Sequence, residues 1–414
     1  WIHFVVSMSS GNYVVYLNGV SVATHSTPTT SYDNGQDYEI GNVPKSSSVA
    51  SWIGLIDQVR IYDAALTSSQ VTELYNEKPE VDTSNFKTVL WNGTSTRTYF
   101  SQVGFQPDLM WVKRRNATAS HYLIDSVVGD GKYRYTDSTS ADITSSESNL
   151  FDANGVFLNS SNLANNSAGT YVGWFWKGGG DAVSNTDGSI TSQVSVNTDA
   201  GFSIVKFDGY QSSGTTVGHG LNIDGVATTP ELIIAKNLDQ ATSWPVWFDD
   251  AITMTSTTFT LENSTKYLAL NSTTGYLSFT LDRQFGGTLS GGSGDEMIAY
   301  CFHSVAGYSK IGSYSGSSSS QRIYVTNDGT SSGSGGFEPS WVMIKRTDSV
   351  AANWIIYDKP RGNGDIELYP DSTSTESNAS SVRGITFQSD GFTLDNSHSQ
   401  YNASGVDFIY MAFK

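Results

Sequence analysis

Apolar and polar residues alternate along most of this chain in short runs, separated by glycine, serine, asparagine and aspartate. Alternation at period two, bounded by turn formers, predicts β-strands, and no window carries a long run at helical period. One phrase is written three times, as Pro107-Asp-Leu-Met-Trp-Val-Lys113, Pro230-Glu-Leu-Ile-Ile-Ala-Lys236 and Pro339-Ser-Trp-Val-Met-Ile-Lys345. Ahead of each stands an aromatic-led strand with a glycine turn: Phe86 to Gly93, Phe202 to Gly209, Tyr308 to Gly316. Behind each comes an apolar run ending in Asp125, Asp249 or Asp358, and then an aromatic closing strand: Tyr171 to Lys177, Met297 to His303, Phe408 to Lys414. A fixed order of unlike strands, recurring at roughly a hundred residues, predicts tandem domains of the spacer or multivalent kind. Proline donates nothing to a ladder, so each is expected at a strand start or edge. The repeated lysine and aspartate (Lys113 with Asp125, Lys236 with Asp249, Lys345 with Asp358) are expected to pair outward across each sheet.

The first 78 residues read differently. Strands are expected at Trp1–Val6 and Tyr13–Leu17, the second turning at Asn18-Gly19, a dipeptide that tolerates the positive φ of a tight hairpin. Further strands are expected at Asp37–Ile40 and Trp52–Tyr62. One short helix is predicted over Ala65–Tyr75, with Thr67 as N-cap and Gln70 completing a capping box. The expected organisation is a first unit at 1–78, a linker at 79–84, and three repeats at 85–180, 195–306 and 307–414. The segment 181–194, after Gly178-Gly-Gly180, reads as a flexible linker. Repeats one and three share a hairpin phrase, Asp152-Ala-Asn-Gly155-Val-Phe-Leu158 against Ser389-Asp390-Gly391-Phe-Thr-Leu394. The fold class is all-β: a partial jelly-roll sandwich followed by three tandem related β-sandwich modules.

Composition sharpens this picture. The apolar fraction is a modest 38%, but 10 Trp, 22 Tyr and 19 Phe can each bury a large area. Net charge is −17 with no basic cluster, which argues against nucleic acid as a partner. No apolar run approaches the ~18 residues of a membrane span, so membrane insertion is not expected. The single cysteine, Cys301, rules out an internal disulfide and sits in an apolar strand, where a buried inert thiol is expected. The chain opens on a strand without methionine, which reads as a fragment of a longer polypeptide.

Residues 1–78 resemble the second half of laminin-G-like, concanavalin-type jelly rolls. The resemblance rests on Trp1-x-His3, Tyr16-Leu-Asn18-Gly19, Ile40-Gly41-Asn42, Gly54-x-Ile-Asp57-x-Val-Arg60-Ile-Tyr62 and Ala65-Leu66. From residue 85 on, Gly201-Phe-Ser-Ile-Val, Val217-Gly-His-Gly220-Leu, Lys266-Tyr-Leu-Ala-Leu-Asn271 and Val305-Ala-Gly-Tyr-Ser-Lys310-Ile-Gly-Ser-Tyr314 resemble tail-fibre-like proteins of marine tailed bacteriophages, especially cyanophages. That resemblance implies an extracellular virion location and a homotrimeric fibre. It also implies contacts with other tail proteins and attachment to host-surface polysaccharide or lipopolysaccharide. Two rivals are a carbohydrate-active enzyme whose accessory region this is, and a virion decoration filament that binds nothing.

Candidate chemistry is sparse. A glycosidase needs two carboxylates ~5–10 Å apart, and the near-neighbour acids, Asp37 with Glu39 and Glu80 with Asp82, sit in no aromatic strand facing a cleft. The chain is therefore not expected to be an enzyme. The six histidines are scattered without metal-ligand spacing. Concanavalin-like domains hold calcium at loop rims, which makes Asp33, Asp37 and Asp57 candidate ligands; the plainer reading has them cap turns. Otherwise no cofactor is expected. Sugars stack on aromatic rings and bond Asn, Asp and Arg. In the third repeat Trp354, Arg361, Asn363, Tyr369, His398 and Tyr401 offer that mixture and are the candidate carbohydrate-binding residues.

Overall fold

The computed structural model describes residues 3–9, 11–26, 60–76, 85–145, 150–159, 164–209, 216–242, 244, 246–248, 278–280, 294–327, 329, 331, 335–348, 352–378 and 384–414. The chain divides into two compact units, Trp1–Thr83 and Ser84–Lys414.

In the first unit, strands Phe4–Ser9, Asn12–Leu17 and Val20–Ser26 form an antiparallel sheet. Asn18 and Gly19 turn the second hairpin at φ 50° and 78°, both left-handed, as the dipeptide predicts. The predicted helix runs over Ser68–Asn76. Its capping box is closed both ways: the Thr67 amide donates to Gln70 Oε1 at 2.9 Å, and the Gln70 amide to Thr67 Oγ1 at 3.3 Å. Val71 is fully buried beneath it. The expected strand at 37–40, residues 52–59 of the strand expected over 52–62, the linker at 79–84, and Asp33, Asp37 and Asp57 all lie outside the described residues, while residues 60–62 are described and form no strand.

The second unit is built on one four-strand theme used three times. The opening strands are Phe86–Asn92, Phe202–Asp208 and Ser309–Ser315, and the closing strands Thr170–Trp176, Glu296–Phe302 and Asp407–Phe413. The proline strands are Leu109–Arg114, Leu232–Asn237 and Trp341–Arg346. The next, the aspartate strands, are His121–Asp125, Val246–Phe248 and Ile355–Asp358. In every module the order across the sheet is opening, closing, proline, aspartate, all antiparallel. Pro107, Pro230 and Pro339 are buried and each stands two residues before its strand, where a missing N–H costs no ladder bond.

Register makes the three modules comparable residue by residue. Trp176, Phe302 and Phe413 lie opposite Leu109, Leu232 and Trp341. Those same three pair with Asp125, Phe248 and Asp358 on the other side. Phe248, not Asp249, therefore holds the position of the aspartates in module two; Asp249 is outside the described residues.

Modules one and three close a sandwich with a second, small sheet. Its strands are Thr98–Phe100, Phe151–Asp152 and Gly155–Leu158 in one, and Gln321–Tyr324, Ile385–Gln388 and Gly391–Leu394 in the other. The shared hairpin phrase aligns in register, Val156 opposite Phe100 and Phe392 opposite Ile323. Both modules also need a glycine at the end of the opening strand. A Cβ at Gly93 would lie 1.9 Å from the Asn166 carbonyl oxygen, and one at Gly316 2.2 Å from that of Ala403.

The large sheets are buried on both faces, which is why the closing strands read as continuous apolar runs rather than alternating ones. Tyr171 and Phe175 face the module's own sandwich core, while Val172, Trp174 and Trp176 face a second core. That second core is common to all three modules. It joins Phe86, Trp111, Trp174 and Trp176 to Phe202, Tyr300 and Phe302, and to Trp341, Met411 and Phe413. Trp176 alone meets Phe302 at 6.4 Å, Trp341 at 5.8 Å and Phe413 at 5.8 Å between ring centroids, and Phe302 meets Phe413 at 6.2 Å. The modules thus form one body around one aromatic cluster, where the repeat pattern had suggested separate beads.

The expected linker at 181–194 is also structured. Val183–Asn185 and Ser192–Asn197 extend module two's sheet beyond its opening strand, with Val183–Asn185 at the edge. The Gly178 and Gly180 amides donate to Asp108 Oδ2 at 2.8 and 3.2 Å, and the Gly179 amide to Ser195 Oγ at 2.9 Å. Satisfied amides hold the triple glycine in place.

Candidate functional site

The third module scatters the six candidate sugar-binding residues. Trp354 is buried in the shared core, and its amide donates to Asp371 Oδ2 at 3.2 Å. Arg361 is buried as well. Its Nε donates to Asp358 Oδ2 at 2.7 Å and its Nη2 to the Ile356 carbonyl at 3.0 Å, while its guanidinium lies 5.6 Å from the Trp174 ring centroid. Asn363 is exposed and caps the turn Lys359–Gly362 in the left-handed conformation, φ 55°. Tyr369 is half-buried, and its hydroxyl donates to Glu367. Tyr401 is fully buried in the module's own core, and its hydroxyl accepts the Gly384 amide at 3.3 Å. His398 stacks on it at 5.5 Å. Only His398 with Tyr401, and Arg361 with Asn363, are brought together. Trp354, Arg361 and Tyr401 offer no ring face or guanidinium edge to a ligand, because all three side chains are buried under their neighbours; they are corrected here to core positions.

The repeated lysines are corrected too. Lys113 and Lys236 are fully buried and Lys345 is 2% exposed, so none forms an outward pair. Lys113 pairs with His121, four residues before Asp125; continuing the registers, Trp244 and Trp354 take the corresponding places in the other modules, four residues before Phe248 and Asp358. The ammonium groups cap carbonyls. Lys236 Nζ donates to Thr242 O at 2.6 Å and to Thr139 O of module one at 3.0 Å; Lys345 Nζ donates to Ala352 O; Lys113 Nζ donates to Arg114 O at 2.7 Å. Burial pulls Lys113 and Lys345 down to about 8. Their folded forms therefore release a proton near pH 8 while the unfolded chain holds it to about 10.4. Stability is expected to rise between pH 8 and 10, and urea midpoints of the parent and Lys113→Met should diverge there, with the parent gaining. Parallel curves would refute it.

The polar groups that sequence reasoning missed lie at the joints between modules. Arg134 is fully buried. Its Nη1 pairs with Asp125 and donates to Tyr300 Oη at 2.5 Å, and its Nε donates to Asp142 Oδ1 at 2.7 Å. Tyr300, from module two, donates to Asp125 Oδ2 at 2.7 Å. At the other joint Trp174 Nε1, from module one, donates to Asp358 Oδ2 of module three at 2.9 Å, beside Arg361. Tyr300 and Trp174 are the same ladder position, as are Asp125 and Asp358. At the third joint those positions are Met411 and Phe248, both in the apolar core or packed against it. The donor and its acceptor are lost together, so no polar group is orphaned. His121 sits fully buried between Trp111, whose Nε1 donates to its Nδ1 at 3.1 Å, and Trp174, stacked at 6.2 Å. Burial holds its imidazole well below the ordinary value, hence neutral. Cys301 is buried, which pushes its thiol up as expected of an inert one.

One cleft of about 380 Å³ opens between modules one and two, lined by Gln106, Asp108, Lys177, the triple glycine and Asn197. Its amides are already taken by Asp108 and Ser195, so it presents few unspent donors. Among the described residues no group of three or more His, Cys, Asp or Glu could hold a metal ion, and no helix is long and apolar enough to cross a membrane.

Residues 81–414 match the family described as Domain of unknown function (DUF7483). The chain belongs to that family. Its three-module body coincides with the matched span, and the short first unit has a separate relationship: residues 1–72 match the Concanavalin A-like lectin/glucanases superfamily. No curated protein matches the chain. Among solved structures, an S-layer domain-containing protein (residues 221–444) from Clostridium thermocellum ATCC 27405 is similar at 28% identity over 18% of this chain and 39% of that one, with a TM-score of 0.16. So small a structural overlap carries no argument about the DUF7483 body.

Proposed function

We propose that this protein is a structural and adhesive surface protein that binds carbohydrate without cleaving it, serving as a tail-fibre segment of a virion. The observation that carries the carbohydrate part is the match of residues 1–72 to a lectin/glucanase superfamily. The non-catalytic part is supported by the use of buried acids: Asp125, Asp142 and Asp358 are all clasped by arginine in joints between or within modules. A three-module body that shares one core, in a chain that also carries a lectin-like unit, suits display, and the phrases resembling phage fibre proteins supply the virion. Trimerisation rests on that resemblance alone.

The test is retention of the full chain on an array of immobilised bacterial O-antigen and capsular polysaccharides and neutral plant polysaccharides, with the supernatant assayed for released oligosaccharide. Retention without release is expected. Release of oligosaccharide would instead point to an enzyme. Retention on nothing would favour a decoration filament, the reading to which the burial of Trp354, Arg361 and Tyr401 lends weight. Sedimentation equilibrium is expected to give three times the 44.7 kDa chain mass; a monomer at micromolar concentration would remove the trimer.

A further inference from the structure

We infer that the joint between modules one and three loosens in acid, with His121 as its proton sensor. His121 is fully buried, stacked on Trp174 at the point where Arg361 and the Tyr369 carbonyl come in from module three. A neighbour fixes its tautomer. An indole N–H only donates, and Trp111 Nε1 donates to His121 Nδ1 at 3.1 Å. Nδ1 is therefore bare and Nε2 carries the ring proton, near the Tyr369 carbonyl but without a hydrogen bond of ordinary geometry. A second proton would have to enter at Nδ1, where it would meet the Trp111 N–H head-on. The resulting cation would also stand among cations, with Lys113 as its ladder partner and Arg361 across the joint. The nearby carboxylates are engaged elsewhere. Asp137 Oδ1 accepts the His121 amide at 3.0 Å, Asp358 Oδ2 accepts from Arg361 Nε and Trp174 Nε1, and Glu376 pairs with Arg115. The imidazole thus takes up a proton only when the joint parts.

The fold does not require a histidine here. Trp244 and Trp354 hold the same place in the other modules, and an indole does not titrate. Trp244 Nε1 donates to the Tyr135 carbonyl of module one at 3.0 Å. Continuing the register, Tyr369 takes in module three the place of Tyr135. One joint therefore uses a donor that acid leaves unchanged, and another uses an imidazole that acid alters. With the joint closed, burial and the two cations hold the imidazole well below its ordinary value; with the joint open, it returns to about 6.5. The closed joint accordingly loses stability as pH falls below about 6.5. Burial pushes the Asp137 carboxyl up, which favours the closed form in acid and does not imitate this loss.

Three amides read the joints directly. Ala119 and Glu376 donate across the joint of modules one and three, to Thr373 O at 3.0 Å and Arg115 O at 3.3 Å, while Asp142 donates to Leu238 O at 2.9 Å across the joint of modules one and two. Amide-resolved hydrogen exchange on the full chain, corrected for the intrinsic rate, is followed from about pH 7.5 to about pH 5. Protection at Ala119 and Glu376 is expected to fall about tenfold per pH unit below about 6.5, the slope of one linked proton, while Asp142 holds steady. In His121→Asn, whose side-chain oxygen accepts from Trp111 without titrating, all three are expected to hold steady. His121→Phe, which keeps a ring on Trp174, makes the same comparison if that variant does not fold. Steady protection at Ala119 and Glu376 in the parent would overturn the inference. So would the same fall in the variant, or an equal fall at Asp142, which would tie the proton to unfolding of the whole body.

Discussion

Trp176→Ala is expected to destabilise the whole 84–414 body by about 3–5 kcal/mol, the cost of emptying a large buried aromatic site. Trp176 is 1% exposed and touches rings from all three modules. Because one cluster serves every large sheet, the loss should not stay within module one. Urea unfolding followed by tryptophan fluorescence and by far-ultraviolet circular dichroism should show a single coincident transition, shifted to lower denaturant in the variant. Independent beads would instead give a lost transition for one module and unchanged ones for the other two. Trp176 Nε1 has no hydrogen-bond partner, so Trp176→Phe removes an orphaned donor along with some packing and should cost distinctly less.

Arg134→Met should be equally severe, about 3–5 kcal/mol, for a different reason. It leaves Asp125 and Asp142 with buried negative charge and no cation, at the joint where Tyr300 of module two docks on module one. Adding Asp125→Asn and Asp142→Asn to the same variant should recover a good part of the loss, because no uncompensated charge remains. A triple variant no more stable than Arg134→Met would mean that the joint depends on the arginine's shape and not on its charge. Met411→Ala probes the corresponding position at the joint where no such pair exists, and should behave as an ordinary core truncation of about 2–5 kcal/mol with no such charge rescue.

These expectations follow from what could and could not be read along the chain. The local elements were legible because their causes are local. Asn18-Gly19 supplies two left-handed residues for a hairpin, Thr67 and Gln70 satisfy helix-end amides three residues apart, and a proline two positions ahead of a strand costs no ladder bond. The repeated order of strands, and hence one sheet topology used three times, was legible for the same reason. A strand apolar on both faces also announces that both faces are covered. What covers them is not a local property. The sequence placed Lys113, Lys236 and Lys345 beside aspartates on a solvent face, whereas the shared core buries them and turns each ammonium onto nearby carbonyls. It offered Trp354, Arg361 and Tyr401 as exposed because loops around them are polar, although their side chains point inward. The joint partners Tyr300 and Asp125 stand 175 residues apart, and Trp174 and Asp358 stand 184 apart. No periodicity links such positions. Only the packing of three sheets on one aromatic cluster, driven by the area each module cannot bury alone, brings them to hydrogen-bonding distance.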